Sequence, residues 1–292
     1  MSLPKILLFG KVGQVGWELR RTLAPMSHVI CVDYPEVDFT TPDSIRRHIA
    51  DAAPDIILNA AAYTAVDKAE TELALATKIN ADAPGIMAEE AAKRGALLVH
   101  YSTDYVYDGT KTTPYVETDT PNPLGAYART KLAGDEAIRR AGCNHLIFRL
   151  CWVYGARGAN FLLTMQRLAR DREKLRVVAD QVGCPTWSRM IAESTAHALR
   201  YVRTSSDARA LSGTYHLSAS GQTNWHGFAS ASIDLMPPET RKCREVEAIT
   251  SAEFPTPTKR PAYSVMSCAK LEETFSLRLP DWRDSLRQVN EH

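Results

Sequence analysis

The sequence has no apolar run approaching the roughly 18 residues that a membrane span requires, so no transmembrane segment is expected. Charge of one sign is also missing: 35 Lys and Arg stand against 34 Asp and Glu, a net +1. That balance gives no electrostatic case for nucleic acid or a membrane surface as partner. No C-x-x-C pair occurs among Cys31, Cys143, Cys151, Cys184, Cys243 and Cys268, and no two histidines stand at metal-ligand spacing. Scattered thiols in apolar company, as Cys31 is in HVICVDY, read as free cysteines of a reducing cytoplasm, and no metal site is expected. Met1 leads directly into a core strand, so no signal peptide is read there. Internal repeats and low-complexity tracts are lacking too.

What is present begins with Lys5–Arg20, KILLFGKVGQVGWELR. Ile6, Leu7, Leu8 and Phe9 run into Gly10, Gly13 and Gly16, and an amphipathic stretch leaves from near Gln14. The pattern predicts a buried strand, a tight turn and a helix start. Gly10 and Gly13 let the backbone turn and approach a pyrophosphate, while Gly16 lets the helix pack close to the strand. The G-x-x-G-x-x-G spacing is that of the short-chain variant of the dinucleotide fingerprint.

A second strand, Val29–Val32, ends in Asp33, where a carboxylate accepts hydrogen bonds from an adenosine ribose and repels a 2′-phosphate. Lys11, in the glycine loop, is placed to tolerate that phosphate, so NADH and NADPH both stay open. Asp38 beside Phe39 pairs a carboxylate with an aromatic suited to adenine. Further strands are expected at 55–59, 97–101, 145–150, 175–178 and 213–218. Helices are expected at 44–53, 65–77, 81–94, from 126 onward, and at 161–172 and 190–201. This alternation predicts an α/β fold, a doubly wound parallel sheet covered on both faces. After the third strand, the small residues before and at Ala62, with Tyr63 and Thr64, allow close backbone approach to a ligand.

Ser102 and Thr103 place hydroxyls at the carboxyl end of the central strand, where a substrate carbonyl could be bound. Either could equally cap the chain's exit. The loop 108–124 is long enough to be functional. Beyond it, Tyr127 and Lys131 lie about one helical turn apart. An ammonium there is expected to lower the phenol's pKa and make it a proton donor at physiological pH. Trp152, at the end of the strand 145–150, is either packing or a surface for a sugar. From Gly221 strand character weakens and prolines accumulate at 255, 257 and 261. A smaller C-terminal substrate-binding lobe is therefore expected, made of 154–183 and 221–292, with the dinucleotide-binding domain at 1–153 and 184–220.

Taken together, FGKVGQVGWEL, NAAAYTAVDKAE, HYSTDYVYDG, YARTKLAGDE, FRLCWVYG, DQVGCPT and KRPAYS resemble the extended short-chain dehydrogenase/reductases. Within them, the second and third motifs resemble the dTDP-4-dehydrorhamnose reductase family. The likeness covers nearly the whole chain. It implies a Rossmann-type domain and reduction, with NADH or NADPH, of the C4 keto group of dTDP-4-dehydro-L-rhamnose, the final step of dTDP-rhamnose biosynthesis. It implies that Tyr127 donates the proton, that Lys131 holds the nicotinamide ribose and tunes Tyr127, and that Thr103 binds the carbonyl.

The resemblance further implies that Gly13, Gln14, Val15, Asp33, Asp38, Phe39, Ala62, Tyr63, Thr64 and Tyr101 contact the dinucleotide. Thr103, Asp104 and Trp152 would contact the dTDP-sugar. Ala126 and Ala128 replace the usual valine and glycine beside the tyrosine, which removes no functional group. Some relatives form a dimer through a glutamate-held divalent ion. Arg189 and Met190 stand in that neighbourhood here, so a homodimer stays open without a metal. Two other activities remain open: a sugar-nucleotide epimerase or dehydratase of the same superfamily, and a non-catalytic dinucleotide-binding regulatory protein.

Overall fold

The computed structural model describes residues 3–289. Six strands form one sheet in the spatial order Gly213–His216, His145–Leu150, Leu97–Thr103, Ile56–Asn59, Lys5–Phe9, His28–Val32. Every neighbouring pair is parallel. The first strand pairs on one side with the second (Leu7 opposite Ile30) and on the other with the third (Leu7 opposite Ile57). The strand order reverses there, which creates a crevice beyond the carboxyl ends of those strands.

The strands are apolar throughout because both faces are covered. Alternate residues feed two cores, as a period of two demands. Ile6, Leu8, Leu58, Val99 and Phe148 pack with Leu19, Ile191 and Leu199 of the helices Gln14–Leu23 and Ser188–Thr204. Leu7, Phe9, Ile57, Leu98 and Ile147 face Ile45, Ile49, Met87 and Ile138 of the helices Pro42–Ala52, Ala83–Arg94 and Ala126–Ala141. A one-residue slip of any strand would exchange its two faces between cores of different shape.

The expected helix over 65–77 is not a single helix. A 3₁₀ turn at Lys68–Glu70 precedes a short helix, Leu73–Thr77, which runs through a π turn, Lys78–Asp82, into Ala83–Arg94. Gly134 of the neighbouring helix explains the widened turn: a Cβ there would lie 2.1 Å from the Asn80 carbonyl oxygen, so the π turn and Gly134 are packed backbone against backbone. The central strand also continues two residues beyond its expected end, to Thr103.

Toward the C-terminus, the helices Phe161–Asp171 and Trp225–Asp234 enclose a separate core with Met165, Leu175, Val177, Ala229 and Ile233. Its two-stranded parallel sheet joins Lys174–Val178 to Glu245–Ile249, a strand whose mixed pattern the sequence did not announce. Tyr107, Tyr154, Trp187, Phe228 and Trp282 form the apolar cluster between this part and the main sheet. Among the described residues, no helix is long and apolar enough to cross a membrane.

Candidate active site

At the switch point the glycine loop takes its shape from steric limits. Gly10 has φ +87°, and a Cβ on it would meet the Ala61 nitrogen at 2.5 Å. A Cβ on Gly16 would lie 1.9 Å from the Gly10 carbonyl oxygen. Gly13 differs: a Cβ there would find nothing nearer than 3.6 Å. It immediately precedes the helix Gln14–Leu23, whose N-terminus has no side-chain cap and no acidic residue in its first turn. Open space beside uncapped N–H groups at the positive end of a helix suits a pyrophosphate.

Gln14 accepts a hydrogen bond from the Asn160 amide (3.1 Å), tying the loop to the 154–183 segment. Val15 packs its side chain against the core. Asp33 accepts from the backbone N–H groups of Val12 (3.0 Å) and Tyr34 (2.9 Å). The Asp38 carboxylate is engaged by Thr40 and Thr41, whose hydrogen bonds hold its pKa below the usual range. Phe39 is 9% exposed and meets Phe9 edge-on at 6.0 Å, so its ring belongs to the core rather than to an open adenine shelf.

Ala62, Tyr63 and Thr64 follow the third strand. Asn80, which the sequence reading passed over, clamps the Tyr63 backbone from both sides. Its Oδ1 accepts the Tyr63 N–H (2.9 Å), its Nδ2 donates to the Tyr63 carbonyl (3.1 Å), and Nδ2 also reaches Thr130 Oγ1 (3.2 Å). The π turn thus fixes the segment after the third strand and touches the helix that carries Tyr127.

Thr103, Tyr127 and Lys131 come together below that segment. The Thr103 hydroxyl donates to Asp104 Oδ1 (3.1 Å) and accepts from the Tyr105 N–H (3.2 Å), and it lies near enough to the Tyr127 phenol to draw its pKa down against burial. The Ala126 N–H at the start of the Tyr127 helix is taken by Glu70 (2.7 Å). Lys131 is 1% exposed, and burial brings its pKa down to about 8 against the opposing pull of Asp135. Its ammonium donates to the Tyr101 carbonyl (2.6 Å) and meets His100 Nε2 at 3.1 Å.

One expectation is corrected here. Lys131 stands one turn from Tyr127 but is engaged elsewhere, and burial pushes the Tyr127 phenol up to about 12 instead of down. Tyr101, in turn, offers its carbonyl to Lys131 while its hydroxyl bonds Thr195 (2.9 Å) in the core. Ser102 turns away from the site to donate to Asp135 (2.9 Å).

Asp104 is 2% exposed, and its Oδ2 has no hydrogen-bond partner among the described residues, with Ser264 and Cys151 beside the carboxyl. Burial lifts its pKa to about 6. Trp152 has φ +43° and stacks on Trp225, ring centroids 3.6 Å apart, so one face of the expected sugar surface is already covered. Nothing in the sequence pointed to Trp225, which lies 73 positions away (225 − 152). Arg260 grips Asp67 through two hydrogen bonds (3.1 and 2.9 Å) and brings the 254–261 loop over the site. A narrow cavity there is lined by Val66, Tyr105, Gly125, Tyr127, Thr258 and Pro261. A larger cavity beside His226 and Arg241 shares none of these residues.

The chain matches the family model described as RmlD substrate binding domain over residues 4–292. It is 47% identical over 284 residues to the dTDP-4-dehydrorhamnose reductase of Burkholderia thailandensis, covering 96% of this chain and 95% of that one. Against the enzyme of the same name from Escherichia coli K12, identity is 44%, covering 97% and 96%. Among solved structures, a Bacillus anthracis dTDP-4-dehydrorhamnose reductase in complex with NADP superposes with a TM-score of 0.90 at 32% identity, covering 99% of each chain. A Thermus thermophilus UDP-glucose 4-epimerase complexed with NAD, at 20% identity and a TM-score of 0.80, shares the fold. With sequence relatives matched end to end and the same Rossmann-type architecture beneath them, this chain belongs to the RmlD substrate binding domain family.

Proposed function

We propose that this chain is a dTDP-4-dehydrorhamnose reductase, reducing the C4 keto group of dTDP-4-dehydro-L-rhamnose to give dTDP-L-rhamnose with NADH or NADPH. The observation that carries the reading is the grouping of buried Thr103 and Lys131 with half-buried Tyr127 at the carboxyl end of the central strand, beside a helix N-terminus left open by Gly13. The relatives named above supply the substrate class. The glycine loop, Gln14, Val15, Asp33, Ala62, Tyr63 and Thr64 would hold the dinucleotide, with Lys131 on its ribose; bound there, it supplies a hydride.

The chain's own part is the proton. The Thr103 hydroxyl binds the ketone oxygen and Tyr127 protonates it as negative charge develops, a contribution of about 10²–10⁴ for a positioned general acid. At about 12, the Tyr127 phenol is firmly protonated before the reaction, as a donor must be. Asp104 and Trp152 would contact the sugar, and residues 154–183 and 221–292 would form the lobe that closes on it, opposite the dinucleotide domain of 1–153 and 184–220. Six free thiols fit a cytoplasmic enzyme.

The test is loss of reduced-nicotinamide absorbance with dTDP-4-dehydro-L-rhamnose generated in the same tube. Stoichiometric oxidation that falls by about 10²–10⁴ in Tyr127→Phe, with dinucleotide binding retained, is expected. Sugar-nucleotide conversion without net oxidation would mean an epimerase or dehydratase; binding without any turnover would mean a regulatory protein.

A further inference from the structure

The end of the second strand holds an arrangement that the catalytic reading does not use. The Lys11 ammonium in the glycine loop lies 2.7 and 2.5 Å from the two oxygens of Glu36. Glu36 Oε2 also accepts the backbone N–H of Asp33 (3.2 Å), while the Asp33 carboxylate accepts the N–H of Val12 next to Lys11 (3.0 Å), so the Lys11–Glu36 pair is tied to the strand end that Asp33 occupies. Lys11 holds the Glu36 carboxyl below its ordinary pKa, which keeps Glu36 charged at neutral pH. In the last turn of the following helix, which carries Arg20 and Arg21, the Arg20 guanidinium lies over the Trp17 ring at 4.3 Å.

Asp33 occupies the strand-end position from which a carboxylate receives an adenosine 2′-hydroxyl. A hydroxyl can donate to it; a 2′-phosphate, with a charge near −2 at neutral pH, can only be repelled unless a cation intervenes. Lys11 is the cation at hand, and Glu36 already has it. We propose that Glu36 sets the dinucleotide preference of this chain by withholding Lys11 from a ribose 2′-phosphate, an inference that rests on the dinucleotide reading above.

The pair is water-accessible, with Lys11 24% and Glu36 53% exposed, so it is weak and easily parted. NADPH is therefore disfavoured, not excluded. Glu36 also lies exposed in a surface turn, which makes its replacement tolerable to the fold.

The experiment is direct titration of the wild-type protein, Glu36→Gln, Lys11→Gln and the double variant with NADH and with NADPH, read by calorimetry with no sugar nucleotide present. Glu36→Gln should tighten NADPH by about 10-fold, because one carboxylate leaves and one ammonium is freed, and should leave NADH within about 2-fold. Lys11→Gln should weaken NADPH, and in the double variant the gain from Glu36→Gln should vanish. A ratio of the two affinities that Glu36→Gln leaves unchanged, or an equal shift in both, overturns the role of Glu36 while leaving the dinucleotide reading intact. Failure of the wild-type protein to bind either dinucleotide overturns both.

Discussion

His100 and Lys131 meet nitrogen to nitrogen, 3.1 Å apart, beneath the candidate site. Which of them donates follows from the far side of the ring. The Ala61 N–H can only donate, so it fixes Oδ1 of Asn59 (3.2 Å) and leaves the Asn59 Nδ2 facing His100 Nδ1 (3.0 Å). Nδ1 therefore accepts, and a neutral imidazole carries its hydrogen on Nε2, aimed at Lys131. Burial and Lys131 both keep His100 neutral, well below its usual pKa. An amine accepts that hydrogen; an ammonium cannot. His100 thus favours deprotonated Lys131, in the same direction as burial, while Asp135, 3.9 Å from Nε2, opposes both.

Replacing His100 with Ala should raise the Lys131 pKa from about 8 and move the alkaline limb of the kcat profile upward by about one unit. Turnover measured from pH 6 to 10 checks this. An alkaline limb that keeps its wild-type position would remove His100 from control of Lys131.

Asp104 has a pH signature of its own. Its carboxyl stands near 3.8 when exposed and at about 6 when folded, so between those values the folded chain holds a proton that the unfolded chain has released. Stability consequently falls as pH rises through that window, by roughly 3 kcal/mol once complete. Asp104→Asn lacks the penalty. Its melting temperature should exceed wild type by several degrees at pH 7.5, with the two converging below about pH 4. If Asp104 also contacts the sugar, the same variant should show a raised KM.

The glycines of the loop should separate folding from binding. Gly16→Ala places a methyl where only 1.9 Å is available to the Gly10 oxygen, so the loop or the helix must move and the protein should lose stability along with dinucleotide binding. Gly13→Ala meets no atom closer than 3.6 Å. Its urea unfolding midpoint should stay near wild type while dinucleotide affinity falls by about 10-fold or more, because the methyl occupies ligand space. A Gly13→Ala protein binding normally would place the pyrophosphate elsewhere.

These contrasts mark where the sequence was readable. The strand–loop–helix at Lys5–Leu23 and the Tyr127–Lys131 pair are local patterns, set by spacing within one or two turns, and the structure keeps them in the expected places. What spacing could not carry was tertiary. Asn80 sits in a stretch whose helical period is unremarkable, and its role arises only because Gly134 admits the π turn and the Tyr63 backbone lies alongside. Trp152 stacks on a distant residue, and the ammonium of Lys131 is drawn to Tyr101 and His100 by a strand that the helix crosses. The Tyr127 phenol rises because burial outweighs the Thr103 hydroxyl, while Lys131 is engaged elsewhere.

Asp135 ties that chemistry to stability, and one pair of variants can pull the two apart. It is fully buried, accepts from Ser102 and lies 3.6 Å from Nε of Arg149, which is 2% exposed. Asp135→Leu leaves the Arg149 charge uncompensated and should cost about 3–5 kcal/mol in urea unfolding, the penalty of breaking a buried pair from one side. It also removes the carboxylate that raises the Lys131 pKa, so the alkaline limb should move down, opposite to His100→Ala. Adding Arg149→Met removes the orphaned charge and should restore much of the stability, but it returns no carboxylate to Lys131. A double variant that regains stability and keeps the lowered alkaline limb assigns stability to the Asp135–Arg149 pair and proton affinity to the Asp135–Lys131 relation. Recovery of both together would mean that Asp135 acts on Lys131 only by holding the fold.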